Sequence, residues 1–262
     1  MSGTAGKGEG RSKRKKRGIA GGGASGAEAK SDGSEEKESG GWGETLRSVA
    51  WAVVLFLILR TFILQTFFIT SGSMKDTMLV GDFLVVNKVA VGSRIPFTQI
   101  RVPGYSERRR GEILVFDPAH EATLTLVKRL VALPGDTVEM RNRVFYLNGE
   151  PQDEPYVRHI DSPDTFVPEM RWQYDHLAPG VDATTYQPTR DSWGPLVIPE
   201  DNYFFLGDNR EESRDSRFWG LVEGWRIEGR ASFIYFSYDR ESYKPFPFLT
   251  TIRWGRILDG YH

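Results

Sequence analysis

Ser71-Gly72-Ser73, Lys128 and the polar stretch from Gly207 to Arg217 are the residues of this chain whose types could break a covalent bond. Two serines around a glycine bring hydroxyl and amide groups together at a point where the backbone can turn sharply. A serine hydroxyl becomes a nucleophile when a neighbouring base takes its proton. Lys128 sits inside the apolar run Thr125-Leu-Val-Lys-Arg-Leu-Val131, bounded by a Pro-Gly turn. An ordinary lysine, with a pKa of about 10.4, is neutral in roughly one copy per thousand near pH 7.4. Burial among Leu126, Val127, Leu130 and Val131 disfavours the ammonium form and lowers that pKa. Each stretch also has a plainer reading when taken singly. Ser-Gly-Ser is a common linker, a lysine in a strand often guards an edge by facing water, and Phe204–Gly220 reads as a salt-bridged surface loop.

Other chemistries find little support. The chain has 262 residues and no cysteine, which excludes disulfide scaffolds, thiolate-held metals and thiol nucleophiles. His120, His159, His176 and His262 show no ligand-like spacing, so no metal and no cofactor is expected. Neither a Gly-x-Ser-x-Gly elbow nor a phosphate-cradling Gly-rich loop occurs. The net charge of -1 gives no argument for a nucleic-acid partner.

The elements that must position these groups fall into three parts. Residues 1–47 are glycine-rich, carry the basic cluster Arg11–Arg17, and bury too little apolar surface to fold, so they are expected as a disordered cytoplasmic tail. Residues 48–64 are apolar all round apart from Arg60, and are expected as a single transmembrane anchor of near-minimal length. Basic residues stay on the cytoplasmic side. The N-terminus is therefore expected inside the cell and residues 65–262 outside, with the bilayer as a partner. A cleaved leader would have a far shorter basic start than this one.

Beyond the anchor, β-branched and aromatic runs of strand length appear at Asp82–Asn87, Glu112–Phe116, Thr123–Val131, Val144–Leu147, Tyr203–Leu206 and Ser232–Tyr238. Glycine turns separate them, as at Leu133-Pro-Gly-Asp136 and Asn148-Gly149. The class is mainly β, with a twisted sheet or partial barrel. A proline-rich, loop-rich β insertion is expected at about 142–200.

In this order Ser71-Gly-Ser-Met74, Lys128-Arg129 with Leu133-Pro-Gly-Asp136, and Gly207-Asp-Asn-Arg210 with Ser213 and Asp215-Ser-Arg217 resemble bacterial type I signal peptidase, a membrane-bound serine protease. The resemblance covers the anchor and nearly all of residues 60–238. It implies Ser73 as nucleophile, Lys128 as general base, and the Ser71 hydroxyl with the Ser73 amide as oxyanion hole. It further implies that Ser213 orients the lysine, that Asp215 and Arg217 hold the site as an ion pair, and that Ile69, Thr70, Met74, Met78 and Val127 line the substrate pockets. The implied partners are preproteins bearing signal peptides, cut after small residues in an A-x-A-like pattern. Thr70, Asp76 and Met78 depart from the family's usual residues, as do Glu211 and Glu212, and none of these removes a group the mechanism needs. Two other readings remain at this stage: another Ser/Lys protease of the same fold, and an inactive membrane-tethered β domain.

Overall fold

The computed structural model describes residues 41–94, 101–121 and 124–261. The expected tail up to residue 40, with its Arg11–Arg17 cluster, lies outside the described residues, as do Thr123 and His262. The chain divides into a unit ending at Leu46 and a second running from Arg47 onward.

Helix α1 spans Gly41–Phe62, with Glu44 in its first turn and Arg60 in its last, each at the end where the helix dipole favours its sign. Its 22 residues measure about 33 Å. Trp51, Val53, Leu55, Phe56 and Leu57 are all at least half exposed, so the helix shows apolar side chains on every side. Among the described residues, no helix is long and apolar enough to cross a membrane by its mean hydropathy. The helix starts before Ser48 because Glu44, Thr45 and Arg47 need no apolar neighbour to continue it. It stops before Leu64, at the end of the expected anchor, which is instead the first residue of strand β1 (Leu64–Phe68).

The remaining strands are β2 (Asp82–Asn87), β3 (Gly92–Arg94), β4 (Arg101–Pro103), β5 (Ile113–Phe116), β6 (Leu126–Ala132), β7 (Thr137–Arg141), β8 (Val144–Leu147), β9 (Glu150–Pro151), β10 (Trp193–Val197), β11 (Asn202–Leu206), β12 (Val222–Glu223) and β13 (Ile227–Ser237). Seven form one antiparallel sheet in the order β1-β2-β13-β5-β6-β11-β12. Register shifts along β13, beside β2 and β5, bend this sheet, as extra residues in one strand of a pair do. β5 is buried throughout. Ile113 and Val115 join a cluster with Ile69, Met74, Met78 and Leu84, while Leu114 and Phe116 join Leu130, Phe205 and Ile227. A strand covered on both faces reads as an unbroken apolar run, and this one does.

A second sheet, β10-β7-β8-β9, takes in Thr137–Arg141 upstream of the expected insertion. Asn148 and Gly149, both at positive φ, close its β8–β9 hairpin, where Leu147 faces Glu150. Val138, Met140, Phe145, Trp193 and Leu196 pack this sheet onto Val131, Ala132, Phe204 and Leu206 of the large one. A 3-10 segment, Pro168–His176, buries Met170 in the same cluster. β6 and β11, which flank the polar site, are thereby gripped by a core on each face.

Candidate active site

Ser73 opens a single helical turn between β1 and β2, closed by Met78 N–H donating to the Met74 carbonyl at 2.6 Å. Met74 and Met78 point into the core and hold the turn by burial, while Ile69 pairs its backbone with Asp82 and Gly81. Lys128 sits in mid-β6, opposite Leu114 of β5. The two functional side chains meet: Lys128 Nζ donates to Ser73 Oγ at 2.5 Å. Both are buried, Lys128 at 3% exposure and Ser73 at 8%. Ser71 Oγ lies 3.3 Å from Ser73 Oγ, so a second hydroxyl faces the first.

Burial pushes the Lys128 amine down from 10.5 to about 8. Asp215 and Asp208 pull it back up and Arg217 pushes it further down, but loss of water dominates. The tenth or so of copies left neutral at pH 7 exceeds the solvated value by more than two orders of magnitude.

Two buried ion pairs frame this contact. Asp215 caps the short helix Ser216–Trp219 and takes Arg217 Nε at 2.8 Å and Nη2 at 2.9 Å, with both side chains at or below 1% exposure. Burial alone would raise the Asp215 carboxyl; the charge and hydrogen bonds of Arg217, with the Gly207 N–H, hold it below the usual carboxylate range. The Arg217 carbonyl in turn accepts from Trp172 Nε1 and Gln173 Nε2 of the 3-10 segment, each at 3.0 Å. The second pair, Arg129 with Asp208, is bidentate at 2.9 and 2.7 Å, and Thr77 Oγ1 donates to the same carboxylate at 2.6 Å. Asn209 completes the link to the Ser73 turn: its backbone N–H donates to the Ser73 carbonyl at 3.1 Å and its amide to the Gly72 carbonyl at 3.0 Å.

Ser213 differs from expectation. Its hydroxyl is buried and lies toward the Asp215 carboxylate, and the Lys128 amine bonds Ser73 rather than Ser213. It is nevertheless wedged near the nucleophile. A Cβ on Gly207 would fall 2.1 Å from Ser213 Oγ and 2.6 Å from the Ser73 carbonyl, so only glycine lets these two backbones approach. Of the expected pocket residues, Ile69, Met74 and Met78 are buried together, Val127 packs partly against them, and Thr70 is exposed.

Sequence reasoning missed a strap from the insertion. Glu154 pairs with buried Arg210 at 2.7 Å, and Tyr156 lies 3.7 Å beneath the Arg129 guanidinium. Arg158 bonds Asp208 and Arg210 through its backbone and Asp76 through its side chain at 2.9 Å. Glu211 accepts from the Ile160 N–H at 3.0 Å and lies 2.9 Å from His159 Nδ1. Nothing in residues 154–160 marks them in the sequence, because their partners lie far along the chain, from Arg129, 27 positions before Tyr156, to Asp76, 82 positions before Arg158. Among the described residues no cluster of His, Asp or Glu has the form of a metal site.

Residues 42–236 match the family described as signal peptidase, peptidase S26. A signal peptidase I from Pseudomonas aeruginosa is 37% identical over 204 residues, covering 71% of this chain and 70% of the relative. One from Bacillus licheniformis is 34% identical over 197 residues, covering 75% of this chain and 89% of the relative. A solved signal peptidase I from Enterococcus faecalis is 29% identical, with a TM-score of 0.32, over 48% of this chain and 97% of that one.

The buried amine carries a stability cost with a definite sign. Its folded pKa lies below the unfolded one, so the unfolded chain binds more protons and stability rises with pH between about 8 and 10.5. Lys128→Met removes the charge at similar length. It is expected to raise stability at pH 7 by up to about 3 kcal/mol, read in urea unfolding.

Proposed function

The chain belongs to the signal peptidase S26 family of serine endopeptidases, and on that premise we propose that Ser73 and Lys128 are the dyad with which it removes signal peptides from exported preproteins. The observation that carries this reading is the buried 2.5 Å contact between the lysine amine and the serine hydroxyl. Neutral Lys128 takes the Ser73 proton as Oγ attacks the carbonyl before the cut bond. The Ser73 N–H and the Ser71 hydroxyl stabilise the oxyanion, each such donor contributing about 3 kcal/mol in serine proteases. The ammonium then protonates the leaving amine, and the lysine, neutral again, activates the water that releases the acyl group. No step requires a cofactor or a metal.

Substrate docking follows from which edges are free. β11 joins β6 only from Arg129 onward, so the backbone of Leu126–Lys128 is open on the side away from β5. β1 is likewise the outermost strand of the large sheet. An extended peptide adds to such edges through its main chain, and pockets for alternate side chains select it. Ile69, Thr70, Met74, Met78 and Val127 would form those pockets, and the filled core behind the methionines leaves room for small residues only.

Helix α1 supplies the location. Between Arg47 and Arg60 lie twelve uncharged residues, about 18 Å of helix, against a hydrocarbon core of about 30 Å. The span closes when the two arginines extend their charged heads toward opposite headgroup layers. This reading puts the preceding basic segment in the cytoplasm and the dyad at the outer face of the cell membrane.

Incubated with a model preprotein in detergent, the wild-type chain should yield a single cut after an A-x-A-like site, mapped by mass spectrometry, and Ser73→Ala should yield none. Its rate should climb about tenfold per pH unit below about 8 and level off above, the limb belonging to the free amine. Lys128→Arg should be inactive at every pH because guanidinium stays charged. A flat profile from pH 6 to 10, or turnover by Lys128→Arg, would exclude the dyad. In cells the full chain should resist carbonate extraction from membranes, and the double substitution Leu55→Asp with Phe56→Asp should release it.

A further inference from the structure

A cavity of about 330 Å³ opens where the chain enters β5, lined in part by Arg109, Arg110, Arg129, Arg230, Glu112 and Tyr261. Its cations are unevenly matched. Arg110 pairs with Asp136 and Arg129 with Asp208, carboxylates that are not on the cavity wall. Glu112 takes Arg230 Nη2 at 2.9 Å through one oxygen. Arg230 Nε and the Tyr261 hydroxyl are buried and have no partner among the described residues, as has the second oxygen of Glu112. No described residue accepts from the exposed Arg109 guanidinium. Two buried donors and one buried acceptor among the lining residues are thus unused, beside the exposed Arg109. Buried polar groups rarely go without a hydrogen-bond partner from protein or water, so groups left over on a cavity wall are available to one that enters it.

The adjoining cavity, of about 210 Å³, shares Arg110, Gly111 and Tyr156 with the first and is lined besides by Val131, Phe145 and Leu147 and by the polar Gln152, Asp153 and Glu154. The two adjoin as a cleft that is cationic at one end and mixed apolar and acidic at the other, so a carboxylate is favoured at the first end only. A lone ion would use a corner of it. An extended peptide, whose same-face side chains stand roughly 7 Å apart, would fill both ends. The cleft also adjoins the chemistry. Ile113 and Ala231 on its wall belong to the cluster of Ile69, Met74 and Met78, and Arg129 is bonded to the carboxylate that holds Thr77 of the nucleophile turn.

We propose that this cleft receives a segment of the preprotein and seats an acidic side chain of it between Arg109, Arg230 and Tyr261. The proposal rests on the signal peptidase reading and names a further feature of the substrate. The bidentate geometry of guanidinium suits a carboxylate, and the unpaired tyrosine hydroxyl supplies a third donor. Selection then depends on an acidic residue at a fixed distance from the cut, beyond the small side chains beside it.

The test measures binding apart from catalysis. Fluorescent preprotein peptides carry aspartate or asparagine at each position flanking the cut in turn, and their affinity for full-length Ser73→Ala protein is read by anisotropy. At one position aspartate should bind about tenfold tighter than asparagine, the size of effect a charge-assisted pair produces. Arg109→Gln and Tyr261→Phe, which break no contact seen in the structure, should each bring that ratio to about threefold or less while the asparagine peptides bind as before. Equal binding of the two series, or a preference that survives both substitutions, overturns the proposal. So does saturable, Arg109-dependent binding of inorganic phosphate without any peptide preference, which would identify a phosphate ligand instead. Cleavage of the asparagine peptides by the wild-type chain judges the protease reading separately.

Discussion

The site depends on holding one amine away from water. A solvated lysine cannot serve as a base near neutral pH, and a buried one is unstable as a cation, so the fold must spend stability to make the residue useful. It does so by placing Lys128 in mid-strand, with β5 on one side and a hydrophobic cluster on each sheet face. The same burial brings Nζ against Ser73 Oγ, so one arrangement sets both the proton affinity and the reach of the amine.

Burying a cation-forming group beside other charges needs compensation, and the two ion pairs give it a definite form. Each pairs an arginine with a carboxylate nearly free of solvent. Such pairs contribute little net stability against an apolar alternative, yet removing one partner costs about 3–5 kcal/mol because the other is left charged and dry. Their visible effect here is geometric. Asp208 ties β6 to the nucleophile turn through Arg129 and Thr77, and Asp215 ties the loop after β11 to the 3-10 segment through Arg217. The strap at 154–160 closes over the same loop, which gives the inserted sheet a role in holding the site.

Much of this was legible in the residues. Asp82–Asn87, Val144–Leu147 and the core of β6 follow from apolar runs between glycine turns, and Lys128 stands out because it interrupts one of them. β13 begins at Ile227, ahead of the expected Ser232, because Glu228, Gly229 and Arg230 look like a break, and the pairing with β5 does shift register there but resumes at Gly229. The division between α1 and β1 was hidden for the opposite reason: apolar side chains run across both, and apolarity does not distinguish a helix from a strand over so short a distance. The ion pairs and the strap were not legible. Arg129 and Asp208 are 79 positions apart, and Glu154 and Arg210 are 56, so nothing local couples them. Ser213 was found by resemblance, but its hydroxyl makes no bond to the lysine it was expected to orient.

The central claim concerns a single titration, and it can be observed without substrate. Lysines labelled with carbon-13 at Cε report amine ionisation by NMR, and comparison with Lys128→Met assigns the resonance. A midpoint near 8 is expected for Lys128, well below those of the surface lysines. A midpoint near 10.4, the value of a solvated lysine, would show that the amine is charged at working pH and would remove the base from the mechanism.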